Sequence, residues 1–292
     1  MSFGENLLIK NLRENAPKGE NYFDCNATTI SYKTGFPTLD YHLGYIVNVF
    51  NENNEIIDSY PSVGIPGGCF VTGIGKPSTS KTTTFAQIAA NIVRDFPNGS
   101  VIHYDLEQAE NYSRIQTITK FKMTDMMAGK YILRQEQNSI NDIKRSIIRI
   151  YKEKMASPEL YKYNTHKKNE FGEDIIIFEP TVVIIDSIAT LATEVNENDK
   201  KEAKKIEEVS SQPDRMRLAG EISRFFTELL PYIRAANIIV MCINQIKTKA
   251  QIGVMPSASD ILYLKQDESF NISEAVWRDP YRNTLLIAGN SC

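Results

Sequence analysis

The sequence of 292 residues lacks the features that mark several large classes of protein. It contains no apolar run close to the roughly 20 residues that a membrane-spanning helix needs. Its beginning lacks the apolar segment of a secretory signal. The formal net charge of −3 gives no general attraction to nucleic acid or to an anionic membrane. These absences predict a cytoplasmic protein without a membrane partner, in which any binding of nucleic acid would depend on local basic loops.

The sequence is also poor in the residues that hold transition metals. The four cysteines are scattered, without the paired spacing of a zinc site, at Cys25, Cys69, Cys242 and Cys292. Two of them lie in apolar, strand-like runs, which predicts reduced thiols in the core of an intracellular protein. The three histidines have no partners at ligand spacing and are interpreted as structural or surface residues: His42, His103 and His166.

The most informative stretch is Gly75–Thr82, with the sequence Gly-Lys-Pro-Ser-Thr-Ser-Lys-Thr. A short apolar run precedes it, and the apolar residues of 83–96 recur at helical spacing after it. A strand, a loop of small residues ending in Lys-Thr, and a helix form the context of a phosphate-binding loop, whose N–H groups cradle anionic oxygens. The candidate nucleotide-binding residues are Gly75, Lys76, Pro77, Ser78, Thr79, Ser80, Lys81, Thr82 and Thr83.

Within this loop, Lys81 is expected to contact the β- and γ-phosphates of ATP, and the Thr82 hydroxyl to bind Mg²⁺. One position departs from the usual motif, because Ser80 stands where the second glycine is normally found. The alternative interpretation is a turn rich in serine and threonine that caps a helix. The spacing from Gly75 to the Lys-Thr pair and the flanking patterns favour the nucleotide site.

Strand-like runs alternate with helical patterns along most of the chain, which predicts an α/β fold with a mostly parallel sheet flanked by helices. Strands are predicted at 101–105, 131–133, 181–186, 237–243 and 284–288, and longer helices at 139–151, capped by Ser139, and 215–235. A hairpin is predicted at 45–60. The remaining predictions are an irregular surface segment at 157–180 with an edge strand at 175–178, a mobile loop or weak helix at 193–213, and a small helix at 3–15.

Three polar residues follow predicted strands and are expected to converge with the loop at the carboxyl edge of the sheet. Asp186 ends the most apolar strand and is the candidate metal carboxylate, the alternative being a turn-forming aspartate. Glu107 is the candidate general base for the attacking water, with Asp105 as its competitor; Glu107 could instead interact with a helix dipole. Gln245 could contact the γ-phosphate or simply cap its strand.

The segment after Gln245 contains Lys247 and Lys249 among a glycine and apolar residues. This composition suits a loop that becomes ordered on a phosphate backbone. Arg215 and Arg217 lie at the end of the charged stretch that follows Asp186. The alternative for all four charges is an ordinary solvated surface.

Taken in order, these motifs resemble those of the RecA family of recombinases, most closely its phage and UvsX-like members. The resemblance runs from about Ile30 to Pro256 and includes more than the phosphate-binding loop. Its other motifs are Ile30-Ser-Tyr-Lys-Thr-Gly, Leu39-Asp, Leu43-Gly44, Gly64-Ile-Pro-Gly-Gly68, Tyr104-Asp-Leu-Glu107-Gln-Ala, Val183-Ile-Ile-Asp186-Ser-Ile-Ala-Thr-Leu, Ile243-Asn-Gln-Ile-Lys-Thr-Lys249 and Ile252-Gly-Val-Met-Pro.

The resemblance implies a DNA-dependent ATPase of a bacterial or phage-infected cell that self-associates into a helical filament on single-stranded DNA. Such a protein pairs that strand with homologous duplex DNA in recombination and repair. Residues 1–29 would be an oligomerisation segment packed on the adjacent subunit, and residues 30–292 a RecA-like ATPase core. By matching position, the implied roles are phosphate and Mg²⁺ binding by Lys81 and Thr82, the Walker B carboxylate for Asp186, the catalytic carboxylate for Glu107, the γ-phosphate sensor for Gln245, and DNA binding for Arg215, Lys247 and Lys249.

Two further regions depart from the family pattern. Residues 45–60 are an insertion without a counterpart in the bacterial sequences, and residues 271–292 lack the Gly-Gly pair and the further strands expected there. The hypothesis that follows is a truncated or frame-shifted end, which would impair strand exchange while the phosphate-binding loop remains. Two other functions stay open: a hexameric helicase or related motor with the same core, and a non-catalytic DNA-binding or filament-poisoning protein.

Overall fold

The computed structural model describes residues 30–51, 53–75, 78–136, 139–191, 212–245 and 284–288. The strands are β1 Ser31–Tyr32, β2 Tyr45–Phe50, β3 Ile56–Ser62, β4 Ile65–Pro66, β5 Phe70–Gly75, β6 Ser100–Asp105, β7 Tyr131–Arg134, β8 Lys162–Lys168, β9 Asp174–Phe178, β10 Thr181–Asp186, β11 Ile238–Gln245 and β12 Thr284–Ala288. The helices are α1 Pro37–His42, α2 Lys81–Val93, α3 Tyr112–Thr119, α4 Met123–Met127, α5 Ile140–Ala156, α6 Pro158–Tyr161 and α7 Gln212–Ala235, with a 3₁₀ turn at Ile188–Thr190.

A parallel sheet forms the centre of the described chain, in the strand order β12-β5-β11-β10-β6-β7. Every neighbouring pair in it is parallel. In this order β11 lies between β5 and β10. The loop after β5 and the loop after β10 therefore flank the end of β11. The predicted α/β class and all five predicted parallel strands beyond β5 are confirmed.

Both faces of this sheet are buried, which explains the continuous apolar runs of its central strands. Along β10, Val182 and Ile184 pack into the core cluster that contains α2, whereas Val183 and Ile185 pack into the cluster that contains α5 and α7. Alternate residues of a strand point to opposite faces, so each run supplies two cores. Helices therefore cover the sheet on both sides.

The helices that cover the sheet carry the expected signals. In α5, the Ser139 side chain accepts a hydrogen bond from the backbone N–H of Asp142, and the Asp142 side chain accepts from the backbone N–H of Ser139, which confirms the predicted cap. In α2, the ring of Phe85 lies so close to Gly73 of β5 that a Cβ atom there would be 2.6 Å from it. Glycine at 73 thus lets the helix pack directly against the strand on which it depends.

Two small antiparallel hairpins lie outside the main sheet. The predicted hairpin at 45–60 is confirmed as β2 paired with β3. The prediction for 157–180 is wrong in its main point, because α6 and the hairpin of β8 and β9 replace the expected irregular segment. Ile175–Phe178 does belong to a strand, but that strand pairs with β8 and not with the edge of the main sheet. The two hairpins are linked by the hydroxyl of Tyr60, which donates to the carbonyl of Lys168 at 2.8 Å.

The remaining predictions divide into those the structure describes and those it does not. Cys69 and Cys242 are buried and unpaired, and His103 is buried, with its Nδ1 2.8 Å from the hydroxyl of Tyr131. The small helix at 3–15 and nearly all of the charged stretch at 193–213 lie outside the described residues.

The described residues contain neither a membrane-spanning helix nor a cluster of metal-binding side chains. No helix there is both long and apolar enough to cross a membrane. The same ranges contain no group of three or more histidine, cysteine, aspartate or glutamate side chains arranged to hold a metal ion.

Candidate active site

The loop after β5 contains two serines in the left-handed backbone conformation. The strand ends at Gly75 and α2 begins at Lys81. Between them, Ser78 and Ser80 have φ angles of 62° and 60°, in the left-handed region that favours glycine. This explains why glycine is usual at the position of Ser80, and shows that serine is accommodated there in the same conformation. Lys76 and Pro77 lie outside the described residues.

Lys81 lies at the mouth of this loop. Its Nζ donates a hydrogen bond to the carbonyl of Gly75 at 3.2 Å, so the side chain folds back over the loop toward the strand end. Partial burial lowers the pKa of Lys81, and the neighbouring carboxylates of Asp186 and Glu107 oppose that shift. The ammonium group therefore lies near the carboxylates of Asp186 and Glu107.

Thr82 and Asp186 are in direct contact. The Thr82 hydroxyl donates to Oδ2 of Asp186 at 2.5 Å, which joins the first turn of α2 to the end of β10. Asp186 is only 6 % exposed. Burial raises its pKa to about 6; the hydrogen bond from Thr82 opposes this, while the charges of Glu107, Asp105 and Glu110 add to it.

The pair fits a magnesium ion by the chemistry of its donors. Mg²⁺ takes oxygen ligands and is usually bound through one or two protein groups together with substrate phosphates and water. A hydroxyl and a buried carboxylate that already touch can supply such ligands beside a phosphate-binding loop. The site residues predicted for the metal are thus brought together by the fold.

The structure separates the two candidates for the general base. Both carboxylate oxygens of Asp105 are occupied as acceptors: Oδ1 accepts from the N–H of Ala109 at 3.2 Å, and Oδ2 accepts from the N–H of Glu110 at 2.9 Å and from Nε2 of Gln135 at 2.8 Å. Asp105 is also fully buried. It therefore shapes the loop that carries Glu107 and is not the group that faces a ligand.

Glu107, by contrast, is exposed at the carboxyl edge of the sheet. Its Oε1 accepts a hydrogen bond from the Ser187 hydroxyl at 2.8 Å, in the residue that follows Asp186 through a cis peptide bond. The backbone N–H of Leu106 donates to the carbonyl of Asp186 at 2.7 Å, so the two loops are joined by main chain as well. These contacts hold the carboxylate of Glu107 close to the Thr82–Asp186 pair.

The backbone of Gln245 lies where the predicted γ-phosphate sensor would have to be. Gln245 is paired in register with Gly75, the last residue before the phosphate-binding loop. Because β11 runs between β5 and β10, its end points into the space between that loop and Asp186. Of the candidate DNA-binding residues, the structure describes only the backbone of Arg215, which belongs to α7, whereas Lys247 and Lys249 lie outside the described residues.

Sequence reasoning missed several polar residues that organise the site. Ser187 has a simple signal, since it is a hydroxyl residue directly after the predicted metal carboxylate. Glu110 and Arg114 are four residues apart, a spacing that favours an ion pair. The contacts of Gln135 with Asp105 and of Arg114 with Thr83 have no such signal, because they join elements far apart along the chain.

Comparison with protein-family models and with curated protein sequences gives no significant match.

Proposed function

We propose that this chain binds and hydrolyses ATP, in the manner of RecA-like P-loop ATPases. The observation that carries the proposal is the convergence of four groups from three separate strand ends: Lys81 and Thr82 after β5, Glu107 after β6, and Asp186 at the end of β10. In a parallel sheet, ligands bind at this edge, where the loops diverge. Each group has the chemistry that one part of phosphoryl transfer needs.

The binding step would use the loop and the first turn of α2. Backbone N–H groups at the start of a helix attract anionic oxygens, and Lys81 adds a positive charge at the same place. Thr82 and Asp186 would hold Mg²⁺, which when bound neutralises charge on the phosphate oxygens. A cation that approaches Asp186 would favour its ionised form, because the charge of the cation offsets the repulsion from the neighbouring carboxylates that helps to raise the pKa.

The hydrolytic step would depend on Glu107. An exposed carboxylate at the site can accept a proton from the attacking water and orient it, provided that the carboxylate is held still. The Ser187 hydroxyl supplies that restraint through its hydrogen bond to Oε1.

The wider proposal is that ATP hydrolysis serves homologous recombination on single-stranded DNA. Its support is the ordered set of motifs in the sequence, including the stretch after Gln245. The placement of Gln245 beside Gly75 supports a physical link, because occupancy of the phosphate site and the start of the candidate DNA-binding segment meet at adjacent strand ends. A ligand that favours one arrangement of that segment would shift its population toward DNA binding.

The test is ATP hydrolysis by the full chain with and without single-stranded DNA. We expect DNA-stimulated hydrolysis, and the double variant Lys247→Ala with Lys249→Ala should weaken DNA binding and reduce the slope of its salt dependence by about 2. The basal rate without DNA should not change. Nucleotide hydrolysis with unchanged DNA binding in the double variant would reject the DNA-binding segment but not the ATPase.

A second measurement distinguishes the proposed function from a hexameric motor. Electron microscopy with Mg²⁺, a slowly hydrolysed ATP analogue and single-stranded DNA should show helical filaments. Closed rings, together with unwinding of duplexes that share no homology with the bound strand, would favour a helicase. Binding of ATP without hydrolysis in either condition would favour a non-catalytic DNA-binding protein.

A further inference from the structure

A chain of polar contacts, with buried carboxylates at its centre and exposed side chains at Gln135 and Arg114, connects the loop that carries Glu107 to the helix that follows the phosphate-binding loop. It begins at Gln135, after β7, whose Nε2 donates to Oδ2 of Asp105 at 2.8 Å and to the carbonyl of Glu110 at 2.6 Å. Asp105 in turn accepts the N–H groups of Ala109 and Glu110. The base of the Glu107 loop is thereby fixed to two strands of the sheet.

This series of polar contacts continues through Arg114 on α3. One guanidinium nitrogen of Arg114 lies 3.1 Å from Oε1 of Glu110, and another donates to the hydroxyl of Thr83 on α2 at 3.3 Å. Thr83 directly follows Thr82, the candidate metal ligand. Arg114 is therefore a single side chain that touches both walls of the site, the Glu107 loop on one side and the phosphate-binding helix on the other.

Among the described residues, Arg114 is the one cation paired with the Glu110 carboxylate. The Glu110 side chain is 2 % exposed. Its second oxygen, Oε2, is buried without a hydrogen-bond partner among the described residues. Burial raises the pKa of Glu110, Arg114 opposes that shift, and Asp105 adds to it. Because the Arg114 side of this pair is half exposed and screened by solvent, the pair is weak evidence for a stabilising role.

We propose that Arg114 is a positioning residue for ATP hydrolysis, which fixes the distance between the Glu107 loop and the phosphate-binding helix. This inference rests on the proposed ATPase function. Glu107 must orient a water beside the γ-phosphate while Lys81 and Thr82 hold the phosphates from the opposite wall. Catalysis depends steeply on such geometry, and a displacement of about 1 Å can cost about a hundredfold in rate.

At this position the side chain has to bond two acceptors at once. Arginine presents several N–H donors in one plane and can bond two acceptors at once, whereas the lysine ammonium acts as a compact point charge on a flexible stem. The two acceptors of Arg114 belong to different elements. Replacement by lysine would keep a positive charge near Glu110 but would not join both walls.

The test compares kcat with the affinity for Mg-ATP in Arg114→Met, which keeps most of the stem and removes the fork. We expect kcat to fall by between about tenfold and a hundredfold, with the Kd of Mg-ATP changed by less than about threefold, a difference well under 1.4 kcal/mol. Arg114→Lys should give an intermediate kcat. The matched control is Arg145→Met, which removes an exposed ion pair to Asp142 on α5 and should leave both quantities unchanged.

A second variant covers the case in which Arg114→Met does not fold. Gln135→Met acts at the other end of the polar chain, on an exposed residue, and should lower kcat in the same way with less effect on Mg-ATP affinity.

Three results would overturn the inference. The first is an unchanged kcat in the folded Arg114→Met variant or, if that variant does not fold, in Gln135→Met. The second is a loss of Mg-ATP affinity with kcat retained, which would make Arg114 a ligand contact. The third is a loss of kcat in Arg145→Met equal to that in Arg114→Met. If the unchanged chain itself does not hydrolyse ATP, the proposed function fails together with this inference.

Discussion

Charged side chains are buried at both edges of the parallel sheet, but the groups that surround them differ between the two edges. At the amino edge, Lys154 is 4 % exposed and donates to the carbonyls of Glu179 and Ala236 at 2.7 and 2.9 Å. The Glu179 carboxylate accepts from both the backbone N–H and the side-chain amide of Asn98. Lys154 is bound to the backbone segments that lead into β10 and β11, and Glu179 to the segment that leads into β6, so polar contacts join three strands at this edge.

At the carboxyl edge, carboxylates are gathered close to one another. The charges of Glu107, Asp105 and Glu110 add to the burial that raises the pKa of Asp186. Ser78, Ser80 and Gln108 all have positive φ angles in the loops that carry these groups. Such a concentration of like charge and sparsely populated backbone conformations is costly for stability and is typical of functional sites.

At the amino edge the buried charges are paired with backbone carbonyls or with an amide, whereas Asp186 at the carboxyl edge lies among other carboxylates. The predictions below use the same chemical change at each edge to test whether this difference is real.

The largest effect is expected for Glu107→Gln. Loss of the general base should lower kcat for ATP hydrolysis by about 10²–10⁴-fold, because the amide cannot accept the proton of the attacking water. Nucleotide binding should persist, and calorimetry of the variant with Mg-ATP would show it. Glu159→Gln, the same change at an exposed site in α6 near the amino edge, serves as the control and should leave hydrolysis intact.

The sharpest comparison is a carboxylate-to-amide change at both edges. Asp186→Asn should stabilise the protein without ligands at pH 7 by about 1–3 kcal/mol, because a pKa raised to about 6 means that the charged form is disfavoured when folded. The same variant should lose Mg²⁺-dependent hydrolysis. A gain in stability together with a loss of activity is the trade-off expected of a functional site.

Glu179→Gln should instead destabilise the protein by about 1–3 kcal/mol. Both carboxylate oxygens accept from donors of Asn98, and an amide would place an NH₂ group against one of them. Chemical denaturation of both variants gives the two values. Shifts of the same sign in Asp186→Asn and Glu179→Gln would break the comparison between the edges.

The amino edge also predicts a pH dependence. Burial lowers the pKa of Lys154 to about 7, from 10.5 for an exposed lysine, although Glu179 opposes the shift. Between these two values the unfolded chain binds more protons than the folded chain, so the free energy of unfolding should rise with pH from about 7 to 10.5, by at most about 1.4 kcal/mol per pH unit. Below pH 7 this contribution should be flat. Lys154→Met should remove the slope, and a slope equal to that of the unchanged chain would contradict the assignment.

The smallest effect is expected in the phosphate-binding loop itself. Ser80 has a φ of 60° and its side chain makes no capping hydrogen bond to α2. Ser80→Gly should therefore stabilise the protein by at most about 1 kcal/mol, since relief of the left-handed conformation is partly offset by the greater entropy of glycine when unfolded. Ser80→Ala, which keeps the strained φ, should give no gain. Thermal unfolding of the two variants distinguishes conformation from loss of the hydroxyl.

The sequence allowed much of this arrangement to be predicted, because the central strands have an unambiguous pattern. Runs such as Thr181–Asp186 are buried on both faces and end in the residues that matter for the site. Once their parallel order was inferred, the meeting of Thr82, Glu107 and Asp186 at one edge followed from topology. The sequence favoured Glu107 over Asp105 as the general base, but it did not show that the loop turns the Asp105 carboxylate inward and leaves Glu107 exposed.

The hairpin of β8 and β9 was missed for a different reason. Its strands are mostly exposed, so their residues show little of the apolar alternation that marks a buried strand. The turn that joins them did have a signal: the Asn169 side chain accepts from the backbone N–H groups of Phe171 and Glu173, and Gly172 has a φ of 81°. Asparagine and glycine three residues apart could have indicated this turn.

The contact of Arg114 with Thr83 could not be predicted from sequence, because it depends on the packing of α3 against α2. Its ion pair with Glu110 joins residues four apart and has a spacing that the sequence does show. Pairing between polar side chains on separate elements leaves no periodic pattern to detect.

The central claim is that the carboxyl edge is a nucleotide site organised around Lys81. Isothermal titration calorimetry of the full chain with Mg-ATP tests it most directly, in parallel with Lys81→Ala and with Lys154→Met as a buried-lysine control at the opposite edge. We predict saturable binding by the unchanged chain, binding retained by Lys154→Met, and binding lost by a folded Lys81→Ala variant. Equal affinity of the Lys81→Ala variant and the unchanged chain, or no binding of Mg-ATP by the folded unchanged chain, would contradict the account.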